Sequence, residues 1–356
     1  MICYRVKAIA LVVLVFFLFA CEKTRRQSFQ FRPFESAFTQ LDEVKLPGIK
    51  PASAGGFAID STGAIYVIDN ANKHIKKFDQ SGRLVQTIGS PGRGPGLFGV
   101  PYSVACDLRD NLYVLDLAQS RVNIFNGMGA LQKSFIFSAA GFTGISMTVS
   151  ASGDIYLGGW KSPLGDSSTM VHKFDQQGNY LLSLLRIDEQ VVPLHLGIVA
   201  GVELATDSDD NLYAIQPVSP KVSKFTRTGA FAGELGRMPP YYEAPIKFPK
   251  LKYPREESKI KPLLSEWTQT DRIFVLPRKS LLMVFRTYTP KEYAIEIYDE
   301  NGNVLEGGIG SDLRPVVQDR QNRFYFMELP SERDDQDQVT LVRCAVNIGK
   351  GATNEP

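Results

Sequence analysis

Histidine, cysteine and tryptophan are scarce in this chain: 356 residues hold three His, four Cys and two Trp. His74, His172 and His195 form no H-x-x-x-H pair, so the helical zinc site built on that spacing is not encoded. Neither a G-x-S-x-G nucleophile elbow nor a P-loop occurs. No stretch carries a long hydrophobic period of 3.6, which argues against an α/β enzyme fold. No cofactor is expected. Long apolar runs are missing too. The one candidate, Ala8 to Ala20, is too short for a comfortable membrane-spanning helix.

That run follows a basic start, Arg5 and Lys7, and has the build of an export signal over residues 1–20. Removing it takes away two of the 40 basic residues, leaving 38 against 38 acidic ones. A neutral chain lacks the basic stripe of a nucleic-acid binder, so no nucleic-acid partner is expected. Cys106 and Cys344 lie far apart in sequence. In an exported chain they could pair, but buried free thiols are the simpler expectation.

What the chain does have is a repeating unit. Residues 57–89, FAIDSTGAIYVIDNANKHIKKFDQSGRLVQTIG, read as four short strands. Ile65-Tyr66-Val67-Ile68 is β-branched and aromatic. Turns at Asp60-Ser61-Thr62-Gly63 and Asp79-Gln80-Ser81-Gly82 flank it and the following strand; Asp can bond its own backbone and Gly tolerates positive φ. The second strand is apolar on consecutive residues, which predicts burial on both faces.

The core of that strand recurs at Leu112-Tyr113-Val114, Ile155-Tyr156-Leu157, Leu212-Tyr213-Ala214 and Phe324-Tyr325-Phe326. A degenerate copy fits between the last two, over residues 272–309. Six copies at about 40–50 residues each give the spacing of a β-propeller. The sixth copy, from Pro315 to Val346, supplies three strands. Leu41–Leu46, a strand without a partner of its own, can fill the fourth place and remove an open edge. The expected fold is all-β: a single six-bladed propeller of four-stranded antiparallel blades, closed by an N-terminal strand joining the C-terminal blade. Its boundaries are a signal at 1–20, a tether at 21–40, the propeller at 41–347 and a tail at 348–356. Insertions at 158–169 and 237–270 depart from the repeat. The second lies between blades 4 and 5 and could cover one mouth of the ring.

Two resemblances follow. Leu18-Phe19-Ala20-Cys21 resembles the bacterial lipoprotein signal, which implies lipidation at Cys21 and a lipid anchor in the cell envelope. Glu22 after the cysteine implies sorting to the outer membrane. Tyr66-Val67-Ile68-Asp69…Asn72…Ile75…Phe78-Asp79, Tyr113-Val114-Leu115-Asp116…Arg121-Val122…Phe125 and the 89–101 loop resemble the NHL repeat and the bacterial six-bladed propeller lipoproteins built from it. That family is mainly a scaffold for binding, with a minority of enzymes. The resemblance therefore implies a fold more firmly than an activity.

Motifs with chemical potential each have a plainer reading. Gly94-Pro95-Gly96-Leu97-Phe98-Gly99 matches G-x-G-x-x-G, but a strand rather than a helix follows, so the glycines serve an inter-blade turn. Asp207-Ser208-Asp209-Asp210-Asn211 resembles the start of a calcium loop, yet Leu212 and Val218 stand where Gly and Glu belong, and it coincides with the repeat's hairpin turn. Asp69 and Asp116 form either a polar rim or a brace within each blade. Glu203 is a candidate for a metal site on the axis, with no pattern to single it out.

The function expected is a non-catalytic binding or interaction scaffold of the cell envelope, a monomer with a protein, peptide or glycan partner. Its ligand-face candidates are Asn72, His74, Arg93, Arg121 and Trp160; no catalytic or metal-binding residue is assigned. The alternatives are a metal-dependent hydrolase or lyase of the lactonase or peptidylglycine-lyase kind, and a structural subunit of an envelope complex.

Overall fold

The structure is a computed structural model that describes residues 29–51, 54–137, 142–161, 169–186, 201–217, 219–244, 267–287, 291–328 and 337–348. The signal segment, Cys21, His195, the sequence 245–266 within the second insertion and the tail from 349 lie outside the described residues.

Six four-stranded antiparallel sheets form six blades. Blade 1 comprises Ala54–Ile59, Ile65–Asp69, His74–Phe78 and Leu84–Ile88, from the axis outward. The innermost strands of blades 2 to 6 are Pro101–Cys106, Phe142–Val149, Glu203–Thr206, Gln269–Val275 and Arg314–Gln318. Blade 6 is completed from the other end of the chain. Phe38–Pro47 pairs antiparallel with Gln338–Val346, from Phe38 opposite Val346 to Pro47 opposite Gln338.

Side chains explain the ring. In the second strand of blade 1, Ile65 and Val67 face one way and enter a cluster shared with blade 6, including Tyr325 and Leu341. Tyr66 and Ile68 face the other way and meet Val104, Leu112 and Val114 of blade 2. The remaining clusters join blades 2 and 3, 3 and 4, 4 and 5, and 5 and 6. Among the described residues no blade has a core of its own; the core lies between blades.

The turns work as the residue types suggest. Asp60 accepts hydrogen bonds at Oδ1 from the backbone N–H of Thr62 (2.9 Å) and Ala64 (3.0 Å), and at Oδ2 from the Tyr66 hydroxyl (3.0 Å). The same Asp–Tyr clasp, six residues apart, recurs at Asp107–Tyr113, Asp207–Tyr213 and Asp319–Tyr325. Asp207-Ser208-Asp209-Asp210-Asn211 is therefore a hairpin turn whose first carboxylate is occupied by Asp209, Asn211 and Tyr213. Burial tends to raise Asp60, but bonds from Thr62, Ala64 and Tyr66, with Lys77, hold it below the ordinary carboxylate value. Gly82, at φ 86°, sits where a Cβ would lie 2.1 Å from the carbonyl oxygen of Lys45, which ties this turn of blade 1 to the closing strand.

Two boundaries differ from the expectation. The tether does not extend to residue 40, because its interspersed aromatics are adhesive. Phe29 and Phe31 pack on Tyr241, with ring centroids 5.2 and 5.1 Å away. Arg32 exchanges backbone bonds with Gly308 (2.8 Å) and Gly310 (3.0 Å) on the outer strand of blade 5, and Phe34 stacks on Phe38 at 4.8 Å. The closing strand likewise starts at Phe38 rather than Leu41, since Phe38 is 1% exposed and packs against Phe324 and Phe326. Cys106 and Cys344 are free thiols.

Closure by Phe38 predicts that Phe38→Ala will destabilise the fold by ~3–5 kcal/mol, as a large buried aromatic removed from a tight core does. Equilibrium urea unfolding measures it. A loss below about 1 kcal/mol would mean that the closing strand is held by its backbone ladder alone.

Candidate functional site

An inner strand has a hydrogen-bonded neighbour on one side only. Its other edge turns unpaired N–H and C=O groups toward the axis. Six such edges enclose a channel of about 640 Å³, lined by all six inner strands. Because the blades are antiparallel, the starts of the inner strands, the inter-blade loops and the turns between second and third strands share one end of the ring, here termed the mouth. At the other end the inner hairpin turns are laced together. Asp110 accepts from Ser61 of blade 1 and from Arg320 of blade 6, Asp210 accepts from Ser152, and Lys279 pairs with Asp209.

At the mouth, five of the six inner strands break register. The pairing skips Gly55-Gly56, Tyr102, Ile145, Asp271 and Val316; blade 4 pairs without a break from Glu203. A bulge re-aims the side chains around it. In blade 5 it lets the neighbours Asp271 and Arg272 both line the channel, which strict alternation would forbid.

The result is a charged cluster built from three adjacent blades. Arg314, first residue of the blade 6 inner strand, donates from Nε to Asp271 Oδ2 (3.1 Å) and from Nη2 to Oδ1 (2.9 Å). This is a two-pronged guanidinium–carboxylate pair, the geometry that binds most strongly. Arg272 donates from Nη1 to Glu203 Oε1 (3.1 Å) and to the carbonyl of Asp271 (2.8 Å). Arg286 and Glu292 pair behind them at 2.8 Å.

The two acids respond differently. Burial tends to raise both. For Asp271, Arg314 and Arg272 outweigh burial and hold the carboxyl below its ordinary value. For Glu203, burial prevails over Arg272 and the carboxyl sits above its ordinary value. Desolvation and the Asp271 charge push the neighbouring Tyr293 hydroxyl up to about 12. Among the described residues no group of three His, Cys, Asp or Glu could hold a metal ion. The two mouth carboxylates are already engaged by arginine, and a divalent cation there would have to compete with those guanidinium charges.

The residues singled out from sequence share the mouth end but do not converge. Asn72 caps Asp69, with Nδ2 donating to Oδ2 at 3.0 Å. His74 Nε2 and Lys76 Nζ lie 3.2 and 3.1 Å from the same carboxylate oxygen. Asp69 is thus a brace inside blade 1. Asp116 braces blade 2 differently: it accepts from the backbone of Gly99 (2.6 Å), Val100 and Gln119, while Arg121 donates to Ser134 Oγ (2.7 Å) instead. Arg93 is exposed on the 89–101 loop. Trp160 pairs through its backbone with Thr143 at the mouth end of blade 3. Asn72, His74, Arg93 and Arg121 do not line the channel; Asn70, two residues from Asn72, does. Gly94, Gly96 and Gly99 give their N–H groups to Gln119, Asn123 and Asp116, so the glycine-rich loop is fastened to blade 2 and offers no phosphate cradle.

Comparison with known proteins agrees with this architecture. Residues 59–132 match the model of the family described as DUF5128, 6-bladed beta-propeller. NHL repeat-containing protein 3 of Homo sapiens is 30% identical over 71 residues, covering 19% of this chain and 20% of that protein; the chain thus spans about a fifth of the curated relative it matches. Among solved structures, a member of the DUF4221 family from Bacteroides vulgatus aligns with a TM-score of 0.65 at 12% identity, covering 87% of this chain and 98% of the other. A gluconolactonase from Xanthomonas campestris aligns at 0.51 and 12% identity, covering 90% and 99%. Regucalcin, a calcium-binding protein from Agrobacterium tumefaciens, aligns at 0.51 and 11% identity, covering 87% and 96%. At such identities the likeness is one of fold. The chain is a six-bladed β-propeller, and its first blades are similar in sequence to DUF5128 and NHL-repeat propellers.

Arg314→Ala leaves Asp271 without its fork. Because the Asp271 carboxyl is held low, its pairing stabilises the fold above the unfolded-state pKa near 4, and that contribution is lost as pH falls through the lower folded value. The variant should lose about 3 kcal/mol at pH 7, with the gap to the parent narrowing as pH falls below the ordinary carboxylate range. Urea unfolding across pH measures both. A pH-independent deficit would show that Arg314 acts by packing rather than by charge.

Proposed function

We propose that this propeller is a non-catalytic binding module of the bacterial cell envelope, and that it takes a small polar ligand at the channel mouth. One observation carries the reading: two guanidinium–carboxylate pairs, contributed by three blades, stand at the open end of a channel of about 640 Å³. The volume suits a small molecule or the end of a chain, and the surrounding strand edges, Ser103 and Thr148 offer hydrogen-bonding partners. The charged groups are engaged with one another, which fits recognition of a polar ligand better than activation of a nucleophile. The rim residues Asn72, His74, Arg93, Arg121 and Trp160 would surround whatever extends beyond the mouth, a glycan or peptide included.

The envelope location rests on sequence. Leu18-Phe19-Ala20-Cys21 supports lipidation at Cys21, and Glu22 supports retention at the outer membrane. Cys21→Ser should move the chain from the membrane fraction to the soluble one and abolish labelling by a fatty-acid analogue. Unchanged labelling would sink the anchor assignment.

Ligand retention tests the site. The full-length chain, exposed to a small-molecule extract of envelope material and examined by native mass spectrometry, should retain a small polar molecule. The charge-neutral double change Glu203→Ala, Arg272→Ala should abolish retention. Retention that survives this change but fails on joint replacement of Arg93, Arg121 and Trp160 by Ala would move the site to the rim.

A further inference from the structure

The two arginines of the mouth are used unequally. Arg314 commits two nitrogens of its fork to Asp271. Arg272 makes both its bonds from Nη1 alone, and among the described residues none leaves from its Nε or Nη2. Its side chain is 26% exposed, and that of its partner Glu203 is 22% exposed, in the same channel. The pair is single-pronged, water-accessible and replaceable, where its neighbour is locked.

From this contrast we propose that the mouth is a receptor for a small hydroxylated organic acid, of the sugar-acid class, whose carboxylate takes Arg272 in place of Glu203. The inference rests on the channel being the ligand site. A ligand carboxylate can approach from the axis and engage Arg272 in two-pronged fashion, a stronger arrangement than the one it replaces. The hydroxyls are met by Ser103 and Asn70 along the wall, and by the exposed ring of Tyr102 on the opposite side of the channel.

The exchange carries a proton with it. Glu203 faces Arg272 and Asp271 from blade 5 and Arg314 from blade 6. On its other side the blade 3 inner strand, Phe142–Val149, contributes no titratable group. Once displaced from Arg272, the Glu203 carboxylate would be left beside Asp271 in a confined space, and it takes up one proton instead. The balance is one ligand carboxylate and one proton in, with Arg272 changing partner and Glu203 becoming neutral. Burial already holds Glu203 above its ordinary value, which lowers the cost of that step. Affinity should therefore rise as pH falls, until the ligand's own carboxyl protonates.

Titration calorimetry with D-glucuronate and D-glucose, on the full-length chain, tests this. D-glucuronate should bind at least about tenfold more tightly than D-glucose, and its affinity should rise by about three- to tenfold between pH 7.5 and pH 5.5. Glu203→Gln, which carries the neutral form permanently, should bind D-glucuronate with a flat pH profile. Arg272→Gln should lose the preference for the acid over the neutral sugar, and Arg272→Lys, which keeps the charge without the fork, should fall between. Equal affinity for the two sugars would overturn the inference while leaving the channel reading intact. So would D-glucuronate binding that Arg272→Gln leaves unchanged, or no D-glucuronate binding by a parent chain that retains a ligand from the extract. A parent chain that retains nothing and binds neither sugar would overturn both.

Discussion

The second strand of a blade is apolar on both faces and therefore needs a sheet on each side of it. Ile65 and Val67 belong to one inter-blade cluster, Tyr66 and Ile68 to the next. A stack built under that constraint always has two end blades with a bare face. Bending the stack into a ring removes both. Apolar burial of this kind is the dominant favourable term in folding, and here it is placed entirely between repeats. The ring, its channel and the common direction of the inner strands all follow from where that burial lies.

A ring of equal blades would give a symmetric channel, and symmetry is what the mouth lacks. Blades 1 to 3 turn glycine, tyrosine and serine to the axis at this end; blades 4 to 6 turn glutamate, aspartate and two arginines. The scaffold residues recur because each blade must make the same turn and the same packing. The charged residues do not recur, and they meet because a ring brings one position of every blade to one place. Polarity confined to one wall gives a ligand a defined orientation without any change to the blades that support it.

The architecture was legible because it is written six times. Tyr66 and its counterparts, with the aspartate six residues before most of them, mark both a buried strand and the turn that precedes it. The closing strand was legible as a strand without a partner of its own beside a last blade with only three. The lead segment was less so: Phe29, Phe31 and Phe34 look like stray aromatics in a polar stretch until blade 5 offers Gly308 and Gly310, where a Cβ would collide with Phe29 and Phe31. The site was hardest to see. Glu203, Asp271 and Arg314 belong to three blades, and the alignment of Asp271 with Arg272 depends on a one-residue bulge that shifts no turn. Asn72, His74 and Arg121 stand out in sequence because they break the repeat at the end of the second strand. The structure finds Asn72 and His74 bracing Asp69, and Arg121 bound to its own blade.

The ladder between Phe38–Pro47 and Gln338–Val346 sets an order of events. Its partners are separated by nearly the whole chain, so the last blade can be completed only after the final strand has been delivered. Until then the first five blades are an open arc with an apolar face at each end, a state prone to association. Contacts of such long range are also slow to form. The step that finishes the ring packs blade 6 against blade 1 and covers both faces at once. The channel becomes a closed ring and the apolar end faces disappear in the same closure.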